Sequence, residues 1–392
     1  MRTQVGIVGA GPAGLILSQL LHREGIASIL VEKHSRIHVQ ERVRAGVLEQ
    51  GTVELLVEIG AGDRLQREGL VHHGIELSFL GKRHRIDFQA LTGRSITIYG
   101  QNEVVKDLTN IRLAAGGEIV FEAEDVSLAE LDKQRPKIRY RKGGEMAEIA
   151  CDFVAGCDGF HGVCRPSIPA DALASYERSY PFAWLGILAQ APPSSPELVY
   201  AYHDRGFALL SMRSPSISRL YLQCRPDEDL AAWPDDRIWN ELDKRLEVKG
   251  WSLTRGPVLQ KGVTGMRSFV AEPMQYRRLF LAGDAAHIVP PAGAKGLNLA
   301  AADARILACG LAEYYRTGKT PLLASYSETC LRRVWAAQQF SWAMTSMLHR
   351  FPEATEFDRR RQLAELAYVA SSPAAAQSLA ESYTGLPFEE LP

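Results

Sequence analysis

Gln4-Val5-Gly6-Ile7-Val8-Gly9-Ala10-Gly11-Pro12-Ala13-Gly14-Leu15-Ile16-Leu17 opens the chain within a few residues of Met1. Gln4 to Val8 reads as a short apolar strand. Glycines at 9, 11 and 14 follow, and Leu15, Ile16, Leu17, Leu20 and Leu21 then recur at helical spacing. Pro12 suits the first turn of that helix, where its missing N–H costs nothing. Gly25 marks the helix end, and Ser28 to Glu32 reads as a second strand. Strand, glycine turn, helix and strand form a Rossmann-like βαβ unit. Gly9, Gly11 and Gly14 let the backbone approach a pyrophosphate closely, and the helix N–H groups stabilise its charge. Glu32, at the end of the second strand, can bond ribose hydroxyls. The unit places the chain in the α/β class without separating one dinucleotide from another.

Two later motifs narrow the ligand. Asp152 to Cys157 reads as a strand, followed by Asp158-Gly159-Phe160-His161 and then Arg165. By itself this is also the pattern of a plain turn closing a strand. Arg278 to Ala282 is another strand, followed by Gly283-Asp284-Ala285-Ala286-His287 and Pro290-Pro291-Ala292-Gly293-Ala294-Lys295-Gly296-Leu297-Asn298. The Asp284 carboxylate can accept bonds from ribityl hydroxyls, and Gly293 and Gly296 leave room for backbone against a planar ring. A helix from Leu297 onward points its N-terminal dipole where a reduced flavin carries charge. In this order and at these distances the three motifs describe a pocket for non-covalently bound FAD.

Composition excludes several alternatives. The 392 residues are 46% hydrophobic and 23% charged, with net charge −1, which offers no basic field to nucleic acid or a membrane surface. No apolar run approaches the ~20 residues of a membrane helix. The N-terminus lacks the pattern of a signal peptide, so the expected location is the cytoplasm. The six cysteines form no C-x-x-C pair, so no metal site is expected and buried, reduced thiols are.

Strand parity points to a ligand pocket. Side chains two apart on a strand share a face, which groups Leu209, Ser211 and Arg213, then Arg219 with Tyr221, and Leu198 with Tyr200. Arg213 offers a planar fork for a carboxylate, and Ser211 and Tyr221 add hydroxyls. On parity alone, Arg213 and Arg219 can equally face solvent at a hairpin.

The chain resembles the single-component FAD aromatic hydroxylases. The resemblance runs the length of the chain, through Arg42-Val43-Arg44-Ala45-Gly46-Val47-Leu48-Glu49-Gln50-Gly51, Arg205-Gly206-Phe207-Ala208-Leu209 and Arg267-Ser268-Phe269-Val270, to Gly385-Leu386-Pro387-Phe388-Glu389-Glu390. It implies a monooxygenase that hydroxylates 4-hydroxybenzoate ortho to its phenol, using NADPH and O2 through a C4a-hydroperoxyflavin. Alternatives are a related substrate, such as 4-aminobenzoate or 3,4-dihydroxybenzoate, or a non-hydroxylating flavoprotein.

The resemblance also implies site residues. Ser211, Arg213 and Tyr221 would hold the substrate carboxylate, Tyr200 the substrate hydroxyl, and Pro291 the ring. Tyr383 would continue the proton path, with His72 at its solvent end. Arg42, Arg44, Gln101, Arg219, Leu297 and Asn298 join Glu32 and Asp284 as FAD contacts. Lys33, His34, His38, Arg44, His161 and Arg267 are the NADPH candidates. The implied organisation is an FAD-binding domain over 1–172, with 70–100 lending strands to the substrate sheet. A substrate β-sheet domain covers 173–266, a returning flavin segment 267–300, and a helical region over 301–392 makes a homodimer contact.

Two departures stand out. Ala292 occupies a position where the family usually has threonine, which predicts a looser pocket. Lys33-His34-Ser35-Arg36-Ile37-His38 is not the usual sequence, and its basic side chains favour a 2′-phosphate, hence NADPH over NADH.

Overall fold

The computed structural model describes residues 1–42, 46–385 and 387–388. The strand Val5–Val8 lies inside a six-stranded sheet. It pairs in parallel with Ser28–Val31 on one side and Phe153–Gly156 on the other; Glu118–Val120 and Leu279–Leu281 extend the sheet, and Gln275–Tyr276 closes it antiparallel. All residues of the three central strands are buried, as continuous apolar runs in a parallel sheet require. The helix Pro12–Arg23 starts at the glycine turn and packs against the long helix Gly296–Thr317.

A second, eight-stranded sheet is mainly antiparallel. Its order is His287–Ile288, Val258–Glu272, Ala174–Ala189, Ile217–Cys224, Ala208–Ser214, Leu198–Ala201, Gly74–Phe79 and Lys82–Asp87. Its faces alternate as the period of two demands. Val199, Ala201, Leu210, Leu220 and Leu222 pack under the helix Asp235–Arg245. Tyr200, Phe207 and Leu209 face a separate core with Tyr383, Met344 and Ala292. The C-terminal third is helical, through Tyr326–Leu348, Glu356–Ser371 and Pro373–Thr384.

Three boundaries differ from expectation. Only Gly74–Asp87 of the segment 70–100 joins the eight-stranded sheet; Ile96–Ile98 instead pairs with Val47–Glu49 on one side and Leu70–His72 on the other in a small three-stranded sheet. The division at 266/267 falls inside the single strand Val258–Glu272, which serves the substrate sheet and the flavin region in one run. The division at 300/301 falls inside the helix Gly296–Thr317. No helix of the described residues is long and apolar enough to cross a membrane, and the six cysteines form no disulfides.

Candidate active site

The three glycine motifs meet in space. Gly9 has φ +103°, and a Cβ there would overlap the Cys157 carbonyl, so the first motif lies directly against the second. A Cβ on Gly283 would stand 3.4 Å from Ala13 Cβ and 3.2 Å from Ala300 Cβ, which sets the third motif on the first helix. Gly11 faces open space and caps the helix Pro12–Arg23 without a side-chain bond. Its first-turn N–H groups are thus available to a phosphate. Glu32 is buried and accepts from Ala10 N and His34 N, both at 2.9 Å. These bonds fix the glycine turn and leave lone pairs for a ribose. Asp284 is exposed on its turn, with no hydrogen bond to the described residues. Gly296 also faces open space at an uncapped helix start. Two bare helix N-termini, an outward carboxylate and an open glycine cradle fit FAD.

Arg165 locks the second motif to the third. Its guanidinium donates to Phe160 O at 2.7 Å and Ala285 O at 3.0 Å, and stacks near the Phe160 and Phe269 rings. Asp158 turns inward and accepts from Val163 N and Cys164 N. The Asp303 carboxylate bonds Gly283 N at 2.9 Å and His287 Nε2 at 2.6 Å. Burial lowers the His287 pKa, but Asp303 outweighs it and raises the net value. The pair therefore adds stability that is complete below about pH 6.5 and is lost as pH climbs through the raised value. Replacing Arg165 with methionine is expected to cost about 2 kcal/mol and to speed FAD release, read by thermal unfolding and flavin fluorescence. Unchanged flavin retention would show that the motifs are locked otherwise.

The loop after Pro290 packs against a later helix. A Cβ on Gly293 would meet Ser341 Oγ at 2.5 Å, so the missing side chain at this position admits the helix Tyr326–Leu348. Pro291 is half-buried at the start of a short turn, Ala292 is fully buried, and Ala294 holds φ +54°. Leu297 is half-buried. The Asn298 side chain bonds Glu49 N, Val47 O and Ala294 O. It thus pins the loop to the strand Val47–Glu49. Gln101 stands half-buried at the first position of the helix Gln101–Ala114.

The sheet assembles a bipolar face. Tyr200 lies opposite Leu209, Leu209 opposite Tyr221, and Ser211 opposite Arg219. All five side chains therefore share one face. Ser211 is buried, and Arg213 and Arg219 are half-buried. Arg213 donates to Met212 O at 3.1 Å, and Arg219 donates to Tyr221 Oη at 3.2 Å. Burial pushes the Tyr221 phenol up, yet Arg213 and Arg219 together hold it below its ordinary value. Burial likewise lowers Arg213, and Arg219 adds to that effect. Two cations crowded in a dry corner favour an anion between them.

At the other end, Tyr200 Oη and Tyr383 Oη are 2.5 Å apart, and both residues are buried. Burial raises both phenol pKa values above their ordinary range. They are therefore neutral hydroxyls, able to relay a proton without holding charge. His72 is not at a solvent end. It is only 2% exposed, neither ring nitrogen has a hydrogen-bond partner, and burial lowers its pKa to about 4. The strand Leu70–His72 folds it inward against Ile96, so in this conformation the hydroxyl chain stops at Tyr383.

Lys295 and Glu49 received no role from sequence. Lys295 Nζ is buried and bonds Glu49 Oε1 at 2.6 Å and Tyr383 O at 3.0 Å. Burial lowers its pKa against the pull of Glu49. A lysine in a run of small residues was the available signal.

The nicotinamide candidates form two groups. His161 is exposed, edge-on to Phe160, and Arg267 stacks 4.6 Å from that ring and pairs with Glu177. Lys33 is exposed, His34 and His38 stack at 4.1 Å, and Arg42 ends the helix Arg36–Glu41 at the surface. No hydrogen bond or ring contact joins the two groups among the described residues. Arg44 lies outside the described residues.

Comparison with known proteins agrees with this geometry. The family of the FAD binding domain matches residues 2–341. The p-hydroxybenzoate hydroxylase of Acinetobacter baylyi is 48% identical over 391 residues, covering 99% of this chain and 96% of that protein. A 3-(3-hydroxy-phenyl)propionate/3-hydroxycinnamic acid hydroxylase of Mycobacterium sp. is 26% identical over 79% of this chain and 54% of its own length. The crystal structure of p-nitrophenol 4-monooxygenase from Pseudomonas putida DLL-E4 shares the fold, with TM-score 0.84, 19% identity and coverage of 98% and 99%. The chain belongs to the FAD-binding-domain family, and within it to the FAD-dependent aromatic hydroxylases that include p-hydroxybenzoate hydroxylase.

Proposed function

We propose that this enzyme converts 4-hydroxybenzoate, O2 and NADPH into 3,4-dihydroxybenzoate, water and NADP+, with one proton consumed. The observation that carries the reading is the bipolar sheet face, with Arg213 and Tyr221 at one end and Tyr200 bonded to Tyr383 at the other. The redox chemistry, hydride acceptance from NADPH and activation of O2, is supplied by bound FAD.

The protein's part is position and proton traffic. Arg213, with Ser211 and Tyr221, grips the carboxylate and so fixes the ring's orientation. The para hydroxyl then reaches Tyr200. As Tyr200 takes that proton, its own passes to Tyr383 Oη; His72, with its pKa lowered to about 4 by burial, can hand the proton on to solvent once a water or a small shift connects it, but does not keep it. A phenol of pKa ~10 thereby becomes a phenolate near neutral pH, which pushes electron density onto the ortho carbon. Pro291 and the buried Ala292 close the pocket against water. Lys33 and Arg42 supply positive charge for the NADPH 2′-phosphate with His34 and His38 beside them, and Arg267 with His161 faces its other phosphates; burial and His38 lower the His34 pKa, so that ring acts as a neutral hydrogen-bonding group. Exposed Trp335 and Trp342 on the helix Tyr326–Leu348, with Tyr368 on Glu356–Ser371, support a homodimer, measurable by light scattering.

Anaerobic mixing with NADPH, with and without 4-hydroxybenzoate, tests the reading. Flavin bleaching is expected to be fast only with the aromatic acid, and admitting air should yield 3,4-dihydroxybenzoate over peroxide. Bleaching that ignores the acid, with peroxide alone, would contradict it. NADH in place of NADPH should reduce the flavin more slowly.

Ala292 supports a second, weaker substrate. It lies fully buried in the same cluster as Tyr200 and Tyr383, and the absent threonine hydroxyl and methyl leave space beside the ring. Turnover of 3,4-dihydroxybenzoate should exceed that of Ala292→Thr severalfold, on the order of a few contacts' worth of binding. Equal rates would remove this idea.

A further inference from the structure

Tyr383 sits at the end of the helix Pro373–Thr384, and the chain beyond it is tied down at successive points. Lys295 Nζ bonds the Tyr383 carbonyl at 3.0 Å. Gly385 has φ +84°, and a Cβ there would overlap the Glu49 carboxylate. Arg94 donates to Gly385 O at 2.5 Å, and Arg333 donates to Pro387 O at 3.0 Å. Arg333 also faces Glu49 at 3.6 Å, and Glu49 bonds Lys295 at 2.6 Å. Phe388 completes the set. Its ring lies 3.2 Å from where a Gly51 Cβ would stand, with the guanidiniums of Arg333 and Arg305 at 5.2 and 5.4 Å. The hydroxyl that meets Tyr200 is therefore held by a backbone whose far side is fastened outside the pocket.

We infer that Gly385, Pro387 and Phe388 form a strap that positions Tyr383, making Arg94, Arg333 and Phe388 positioning residues for proton removal from the substrate. This inference rests on the proposed phenol-ionising role of the tyrosine pair. The Tyr200–Tyr383 hydrogen bond is short, and its strength depends steeply on geometry. The Tyr383 ring is braced on the inside by Phe88 and Phe340. Its backbone carbonyl is held by buried Lys295, and the residues after it by Arg94 and Arg333, so slack in the tail translates into slack at the hydroxyl. Phe388 is half-buried at the edge of the core, beside a cavity of about 310 Å³ lined by Gln50, Gly51, Glu54 and Arg305 among others, so it fills no position in the core interior. Substitution at Phe388 should thus leave the fold intact.

The test uses the FAD-loaded enzyme with Phe388→Ala and Arg94→Met, and Phe388→Tyr as the conservative control. Spectrophotometric titration of bound 4-hydroxybenzoate should show the phenol ionising at higher pH in both of the first two variants. Hydroxylation kcat should fall about tenfold, a part of the ~10²–10⁴ that a positioned proton acceptor contributes. Phe388→Tyr should restore both. Binding of benzoate, which has no hydroxyl, should stay within about twofold of the parent, because only one end of the ligand is affected. Adding Phe388→Ala to Tyr383→Phe should cost nothing further, since the strap acts through the hydroxyl already removed. An unshifted titration, an equal loss of benzoate binding, or an additive effect on Tyr383→Phe would overturn the strap. A parent enzyme that fails to ionise or hydroxylate 4-hydroxybenzoate would overturn the substrate reading itself, and the strap with it.

Discussion

Arg213→Met is expected to weaken 4-hydroxybenzoate binding by about a hundredfold or more, the equivalent of the ~2–5 kcal/mol lost when one partner of a buried, hydrogen-bonded charge pair is truncated. The loss should fall on the acid and not on the flavin. Arg213 bonds Met212 O and interacts with Tyr221 on the substrate face of the eight-stranded sheet, whereas the glycine motifs that fit FAD belong to the six-stranded sheet and its helices. Flavin content and fluorescence should therefore match the parent. The Tyr221 phenol should also titrate higher, because one of the two cations holding it down is gone. A variant that still binds 4-hydroxybenzoate normally, measured by flavin spectral perturbation, would move the carboxylate site elsewhere.

Tyr383→Phe carries the second large effect. It removes the 2.5 Å hydroxyl partner of Tyr200 and ends the relay inside the pocket. The rate of ring hydroxylation near neutral pH should drop about a hundredfold, the lower end for a lost proton-transfer group, with peroxide released in place of product. The pH profile distinguishes this from a packing defect. Neither tyrosine titrates near neutrality, because burial holds both phenols protonated. In the variant the substrate must ionise unaided, so its rate should rise with pH toward the free phenol's ~10. The parent should be far less sensitive across that range. A variant slow at every pH would mark Tyr383 as a packing residue.

What could be read from sequence follows from how local each signal is. The glycine turn, Glu32 and the Asp284 turn are fixed by backbone needs of neighbouring residues, and each appears where expected. The grouping of Tyr200, Leu209, Ser211, Arg219 and Tyr221 also survives, because strand parity is local, whereas Arg213 falls in a register shift between Met212 and Ser214 that parity did not foretell. Non-local choices were not legible. Ile96–Ile98 has the pattern of a strand, yet nothing within it names Val47–Glu49 as its partner. The other edge of Ile96–Ile98 takes Leu70–His72, and that pairing leaves His72 buried away from solvent. Gly293 reads from sequence as room for backbone against a planar ring, and nothing local announces that the helix Tyr326–Leu348, nearly fifty residues later in the chain, packs on the same glycine. The Lys295–Glu49 pair joins residues 246 apart, and charge alone could not match them.

A crystal structure of the FAD-loaded enzyme with 4-hydroxybenzoate tests the central claim most directly. The account predicts the carboxylate within hydrogen-bond distance of the Arg213 guanidinium and Ser211 Oγ, and the para hydroxyl on Tyr200 Oη. A ligand lying the other way round, or Arg213 turned into bulk water away from the ring, would contradict it.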